Sequence, residues 1–364
     1  MNRRQILSLA LGGGLAAAGL PGSGPSVIAA TARRGIVDIH AHLAIPAYLA
    51  LLARAGIRSP GYSAQGQNAA PTSTGQSGDN PQAIAARLRL MNEAGVVSQL
   101  VSQSLGPYTS EENLAVQAAR LANDRHAALA REHPGRLLGL AVLPLPHIDA
   151  SLAELRRALD LLGLAGIGLH ATSLGKSIAD PHFAPLFAEM NRRRCLVCVH
   201  PSVNGLMSPL LLDWKLEAAA GPLLEDAVVA LQLISSNVPL RYPELRIVIP
   251  HLGGGLAGML DRLDNQLPLV IPGLAARPSE MARLFWYDSI SHGSKAALRA
   301  AVEAFGASRL LPGSDFPVLL AFEPYAATFG YIRKTLAPAD AEHILYRNAD
   351  RLFGNSRIQK KVVP

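Results

Sequence analysis

Cysteine is nearly absent from this chain, with 2 residues in 364. That excludes a small fold stapled by disulfides. Charged residues are sparse at 17% and aromatics at 5%, against 49% hydrophobic residues. This balance excludes a disordered chain, which is poorer in apolar residues and richer in charge. Long apolar runs are missing beyond the N-terminus, so no later segment reads as a membrane span. No G-x-G-x-x-G falls between a strand and a helix, which argues against a dinucleotide-binding fold. The net charge of +7 raises the question of nucleic acid. The basic residues are scattered, and no stripe is interleaved with aromatics, so no nucleic-acid partner is expected. The one short run, Arg192-Arg193-Arg194, falls where a helix should end, and there the helix dipole favours cations.

The first 32 residues read as an export signal. Arg3 and Arg4 form a basic head, and Ile6 to Leu20 is an apolar run diluted by Gly12, Gly13, Gly14 and Gly19. Pro21, Gly22 and Pro25 break the run, and Ala30-Thr31-Ala32 places small residues at cleavage spacing. The run is short of the roughly 20 apolar residues that a span requires, so it does not read as an anchor. The adjacent arginines resemble a twin-arginine signal, which implies a periplasmic or secreted protein exported already folded. Removing the segment takes away two Arg and no acid, leaving a net charge of +5.

The remainder alternates short β-rich runs with longer Ala/Leu/Arg-rich helical stretches. The runs lie at 35–42, 96–103, 137–145, 166–171, 196–202, 246–253, 284–290 and 310–317. Helical spacing is clear at 149–162 and 295–305. Strict alternation means parallel strands joined by crossover helices, and eight units predict a (β/α)8 barrel over residues 33–356, with a C-terminal tail at 357–364. One segment, 59–80, is polar and Gly-rich without periodicity. It follows strand 1, at the catalytic mouth of a barrel, and reads either as a lid or as a disordered insertion.

Several histidines fall at the C-terminal ends of these strands, where a barrel places its chemistry. His40 and His42 end strand 1 as H-x-H, on one face by period-2 alternation, with Asp38 expected below them. His200 ends strand 5, His251 ends strand 6, and Asp315 ends strand 8. Five such side chains on four strands, all at one end, converge on one point and predict a metal ion. Imidazole and carboxylate ligands suit Zn2+, with Mn2+, Fe2+ or Co2+ as substitutes. Cys195 and Cys198 form a C-x-x-C inside a strand, where residues three apart face opposite sides, so they read as core residues. Asp38 either orients a ligand His or hydrogen-bonds within the barrel floor. His170 ends strand 4 and His292 follows strand 7; both are candidates to touch substrate. Gly253-Gly254-Gly255 lacks the Lys-Ser/Thr of a phosphate loop and reads as room for close packing beside His251.

Together, Asp38-Ile39-His40-Ala41-His42, Val199-His200-Pro201, His251-Leu252-Gly253-Gly254-Gly255 and Gly313-Ser314-Asp315-Phe316-Pro317 resemble the amidohydrolase superfamily. The closest resemblance is to the branch of the 2-amino-3-carboxymuconate-6-semialdehyde decarboxylase, over about residues 36–353 and in the family's order. The resemblance implies one metal held by His40, His42, His200 and Asp315, with His251 as the acid/base. It also implies that Arg262, eleven residues past His251, holds a substrate carboxylate in the neighbouring subunit of a homodimer. Strand 4 carries no Lys of the kind that bridges two metals in binuclear relatives, so one metal is expected. The namesake enzyme's second carboxylate-holding Arg has no counterpart at 72–80, so its particular substrate is not implied.

A bound metal brings the pKa of its water from 15.7 towards ~7. Imidazole titrates near ~6.5, so His251 is suited to move a proton near neutral pH. Two reactions fit. One is cofactor-free decarboxylation of an unsaturated or aromatic carboxylic acid. The other is hydrolysis of a lactone, ester or amide, with Asp315 or His251 shuttling the proton. Branch resemblance and Arg262 favour the decarboxylase, with a small carboxylate as substrate.

Overall fold

The computed structural model describes residues 35–57, 78–202, 206 and 208–353. The export signal read at 1–32, the tail at 357–364 and most of the 59–80 segment lie outside the described residues. Eight strands form one parallel sheet in chain order: β1 (Ile36–His42), β2 (Val96–Ser102), β3 (Leu137–Ala141), β4 (Gly166–His170), β5 (Leu196–His200), β6 (Arg246–Ile249), β7 (Trp286–Asp288) and β8 (Leu310–Leu311). The sheet closes on itself. Ile39 N–H donates to the Pro312 carbonyl at 3.0 Å, and His42 N–H donates to the Phe316 carbonyl at 2.6 Å. The main helices are α1 (Pro46–Arg54), α2 (Pro81–Ala94), α3 (Glu112–Glu132), α4 (Ile148–Arg156), α5 (Ala184–Arg192), α6 (Gly221–Ser235), α7 (Leu260–Val270), α8 (Lys295–Phe305), α9 (Ala327–Thr335) and α10 (Asn348–Phe353). This is the expected (β/α)8 barrel.

Period-2 alternation divides the apolar residues into two layers. In β5, Val197 and Val199 face the helices, while Leu196 and Cys198 face the lumen. Cys195 packs with the outer layer, so the two cysteines sit on opposite faces, as expected. The lumen is filled by Val37, Ile39, Leu100, Leu138, Leu140, Leu196, Val248, Trp286 and Leu311, and α10 plugs it with Leu352 and Phe353. The chemistry is thereby confined to the opposite, C-terminal end of the strands.

Local signals set the helix ends. The Asn80 side chain accepts the Ala83 N–H at 2.9 Å, Pro81 opens α2, and Gly95 ends it in the left-handed region. α3 buries a stripe of Ala115, Ala118, Ala119, Ala122 and Ala127, small residues that let it lie close to β3. The helix read at 149–162 is α4 continued by a π turn over Arg157–Leu161. Arg192 and Arg193 pair with Glu189, and Arg194 pairs with Glu244, so the basic run is a solvated helix end. Among the described residues no helix is long and apolar enough to cross a membrane.

Several strands stop earlier than the sequence suggests, and two of them carry site residues beyond their ends. β6 ends at Ile249 and β8 at Leu311, so His251 and Asp315 stand on loops just beyond their strands. Both residues have left-handed backbones, with φ of 50° and 59°, which an extended ladder does not accept.

The plug is testable. Phe353 is almost fully buried. Phe353→Ala is expected to cost about 3–5 kcal/mol in urea unfolding while leaving metal uptake intact, because the lumen separates it from the opposite rim.

Candidate metal centre

The strand ends bring four ligand atoms together. His42 Nε2 lies 3.2 Å from His40 Nε2, 3.1 Å from His200 Nε2 and 3.0 Å from Asp315 Oδ1. His40 Nε2 lies 3.7 Å from Asp315 Oδ1, and all four ligand atoms fall within 4.8 Å of one another. Atoms bound at ~2.0–2.2 Å around one cation are separated by roughly 3–3.5 Å, which matches these spacings. β1 supplies two ligands because its register shift between Asp38 and Ala41 breaks the alternation after the lumen residue Ile39 and brings His40 and His42 to the lumen side, while β5 keeps one phase through Leu196 and Cys198 to His200.

The second nitrogen of each ring determines its tautomer. His40 Nδ1 donates to Asp288 Oδ2 at 2.7 Å, and His200 Nδ1 donates to the Pro201 carbonyl at 2.9 Å. His42 Nδ1 lies 3.1 Å from Ser102 Oγ, whose single proton goes to the Ala41 carbonyl at 3.2 Å, so the ring is the donor. The three protons therefore sit on Nδ1, and three Nε2 lone pairs face one centre. Burial holds His42 below the ordinary imidazole range despite Asp315, and burial with the neighbouring imidazoles holds His200 well below it. Burial also lowers His40, but Asp288 outweighs it and raises the net value. Burial opposes ionisation of Asp315, yet the hydrogen bond from His42 and the nearby rings bring it down to about 2. Lone pairs 3 Å apart repel each other unless a cation sits between them. The donor set therefore fits a single divalent metal ion.

His251 stands beside this cluster, its ring centroid 5.5 Å from that of His40. It opens a turn in which five successive residues, His251 to Gly255, have positive φ. Gly254 must be glycine there, because a Cβ would stand 1.9 Å from the Leu223 carbonyl oxygen. Gly253 and Gly254 thus serve close packing, as read from the sequence, whereas Gly255 faces open space and answers only the positive φ. Asp226, on α6, accepts His251 Nδ1–H at 2.7 Å, and Asp288 accepts the His251 backbone N–H at 2.8 Å. Burial depresses the imidazole, but Asp226, Asp288 and Asp315 together raise it to about 9. Burial raises Asp226 to about 6 even with His251 beside it.

Other expected site residues fall differently. His170 is buried at the end of β4, its ring 5.4 Å from that of His200. Burial lowers it to about 4, so it is neutral beside the ligands. His292 is exposed at the rim with its ring edge against Phe322. Arg262 is exposed on α7 and lies outside this chain's own cluster. Asp38 is not below the two ligand histidines. The pairing of β1 with β2 shifts between Asp38 and Ala41, and this irregularity leaves Asp38 on the outer face with Gln99 and Tyr325. Simple alternation cannot foresee such a shift.

Sequence reading missed Asp288, Asp226 and Ser102. Asp288 ends β7, the same position that marked Asp315. Asp226 stands with Glu225 in the otherwise apolar face of α6, and two buried acids there are a signal in retrospect.

Comparison with known proteins agrees with this geometry. The family profile described as Amidohydrolase matches residues 37–354. The chain is 29% identical over 241 residues to a 2-amino-3-carboxymuconate-6-semialdehyde decarboxylase from Dictyostelium discoideum, covering 64% of this chain and 66% of that one. It is 28% identical over 284 residues to a gamma-resorcylate decarboxylase from Rhizobium radiobacter, covering 73% and 86%. Among solved structures, a dihydroxybenzoic acid decarboxylase from Polaromonas sp. JS666, holding manganese and 2-nitroresorcinol, superposes with a TM-score of 0.72 at 23% identity, covering 88% of this chain and 97% of that one.

Elemental analysis checks the ligand set. The purified chain is expected to carry about one divalent ion per molecule, and His40→Ala or Asp315→Ala is expected to lose most of it, since each removes one donor of four. Full occupancy in either variant would refute the assignment.

Proposed function

Because the chain belongs to the amidohydrolase family, we propose that it is a metal-dependent, non-oxidative decarboxylase of an unsaturated or aromatic carboxylic acid. The observation that carries this reading is the pairing of a four-donor metal site with a separate, carboxylate-backed imidazole, His251, that is not needed as a ligand. The names of the relatives support it: both matched sequences are decarboxylases, and one acts on a hydroxylated benzoate.

His40, His42, His200 and Asp315 hold the metal in this reading. Zn2+ and Mn2+ both suit the mixed imidazole–carboxylate set, and manganese in the Polaromonas structure favours the latter. A divalent cation there supplies Lewis-acid polarisation of a substrate oxygen. His251 supplies the proton. With Asp226 on Nδ1, Nε2 is its free nitrogen, and a value raised to about 9 keeps the ring protonated at neutral pH. The proton passes from Nε2 to the carbon bearing the carboxylate. The bond to the carboxylate then breaks, its electron pair returns to the unsaturated system, and CO2 departs. Solvent returns the proton to His251. Asp226 stabilises the imidazolium before transfer, and Asp288 fixes the height of the ring through the backbone.

Arg262 acts across a dimer in this proposal. It is exposed on α7, whose C-terminal Leu269 and Val270 are 79% and 73% exposed, and Leu210 and Trp214 add 78% and 74%. Large apolar side chains left in water favour a second copy as their cover. We also retain the export proposal, which rests on the basic head, apolar run and small-residue site of residues 1–32.

Three measurements test these roles. Metal-loaded enzyme is to be incubated with hydroxybenzoates, muconate-type acids and lactones; evolved CO2 is expected, whereas base uptake on lactones alone would favour the hydrolase. His251→Ala is expected to keep its metal and lose about 10²–10⁴-fold in kcat; loss of metal as well would make His251 a ligand. Co-expressed Arg262→Ala and His251→Ala chains, each inactive alone, are expected to recover activity in mixed dimers. Absence of recovery would show that Arg262 does not act in trans.

A further inference from the structure

We propose that Arg87 and Asp38 are positioning residues for the metal centre. They belong to a buried relay behind the barrel wall that sets the spacing between the ligands of the first strand and the ligand beyond the last. The inference rests on the single-metal reading above and goes beyond it, because neither residue supplies a ligand atom; each reaches only the backbone of a ligand residue, Arg87 the His42 carbonyl and Asp38 the His40 N–H at 3.3 Å.

The reason lies in where the barrel closes. Three of the four ligands, His40, His42 and Asp315, stand on the seam between β1 and the segment after β8. Both sides of that seam are irregular. β1 changes register between Asp38 and Ala41, β8 is two residues long, and Asp315 has a left-handed backbone. Backbone hydrogen bonds do cross, from Ile39 and His42 to the Pro312 and Phe316 carbonyls and from Ser314 and Asp315 to the His40 carbonyl at 3.3 and 2.9 Å, but they follow no regular ladder.

Side chains on the outer face add a second hold. Arg87, on α2, donates from Nη2 to the His42 carbonyl at 2.6 Å and from Nη1 to Gln99 Oε1 at 2.7 Å. Gln99 Nε2 donates to Asp38 Oδ2 at 2.8 Å. Asp38 then crosses the seam: its Oδ1 accepts the Ser314 backbone N–H at 3.0 Å, and its Oδ2 accepts the Ser314 hydroxyl at 2.6 Å. Tyr325 donates to the same Oδ2 at 2.8 Å, and the Arg87 guanidinium lies 4.3 Å from the centroid of the Phe316 ring. One end of the relay is thus the carbonyl of a ligand residue, and the other end brackets Asp315 through Ser314 and Phe316. Arg87, Gln99 and Asp38 are completely buried, and no carboxylate lies within ion-pair distance of Arg87 among the described residues. Burying a guanidinium without an ion pair is expensive, and an apolar filling would serve stability better. What this relay provides that an apolar filling does not is directional hold on two backbone positions.

Titration of Mn2+ into metal-free full-length protein, by competition with a chelating fluorophore, tests the proposal. Asp38→Asn and Arg87→Met are expected to weaken Mn2+ binding by about 10–100-fold, the loss typical when an outer-shell partner of a ligand is removed. The double variant should fall short of the product of the two, because both break one relay. Arg87→Lys, which keeps one donor, should recover part of the affinity, and excess Mn2+ should restore turnover in all of them. Asn123→Ala is the control. It breaks a different buried network, in which Asn123 bonds Glu154 at 2.7 Å and the Val142 carbonyl at 2.9 Å. It should lower Tm while keeping Mn2+ affinity. Unchanged affinity in Asp38→Asn and Arg87→Met, or an equal loss in the control at matched Tm, overturns the proposal alone. A wild-type chain that takes up no divalent ion overturns the metal reading and this proposal with it.

Discussion

Three imidazole lone pairs and a carboxylate oxygen held about 3 Å apart repel one another, and the structure spends much of its order on keeping them there. Asp288, Ser102 and the Pro201 carbonyl each take the far proton of one ring, so that no ring can turn its N–H inward and relieve the strain. Gly313 lets Asp288 approach His40, since a Cβ there would meet Asp288 at 2.9 Å and His40 at 3.3 Å. The repulsion is relieved when a divalent cation enters, and this couples the shape of the rim to metal uptake.

Asp288 links the two halves of the chemistry. One oxygen orients a ligand ring, and the other receives the backbone N–H of His251. The ligand cluster and His251, the proposed proton carrier, are therefore both set from one carboxylate at the end of a three-residue strand. Asp226 then acts on His251 alone, from a helix packed outside the barrel. Asp288 and Asp315 thus serve both ligand geometry and the proton affinity of His251, and Asp226 adds to the latter from a helix, a position that can change without moving a strand.

Most of the architecture was legible because alternation of strands and helices is a property of local composition. Eight runs in the sequence correspond to the eight strands of the barrel sheet, strand-end position marks five candidate side chains, and the family resemblance sets four of them apart as ligands. The errors have a common physical origin. His251 and Asp315 were placed on strands, but left-handed backbone ends β6 and β8 earlier. Asp38 was placed under the ligand histidines, but an irregular pairing with β2 turns it outward. Both depend on hydrogen bonding between strands that are distant in sequence, and no local pattern encodes that.

The order of elements and the five strand-end side chains from which the ligands are drawn follow from the sequence by itself, because periodicity and residue chemistry are local. The convergence of Asp288 and Arg87 on the ligand residues, of Asp226 on His251 and of Gln99 on Arg87 and Asp38 was decided only by the tertiary structure. These residues come from helices and strands separated by up to two hundred positions. Their roles arise from distances of less than 3 Å that exist only after the barrel has closed.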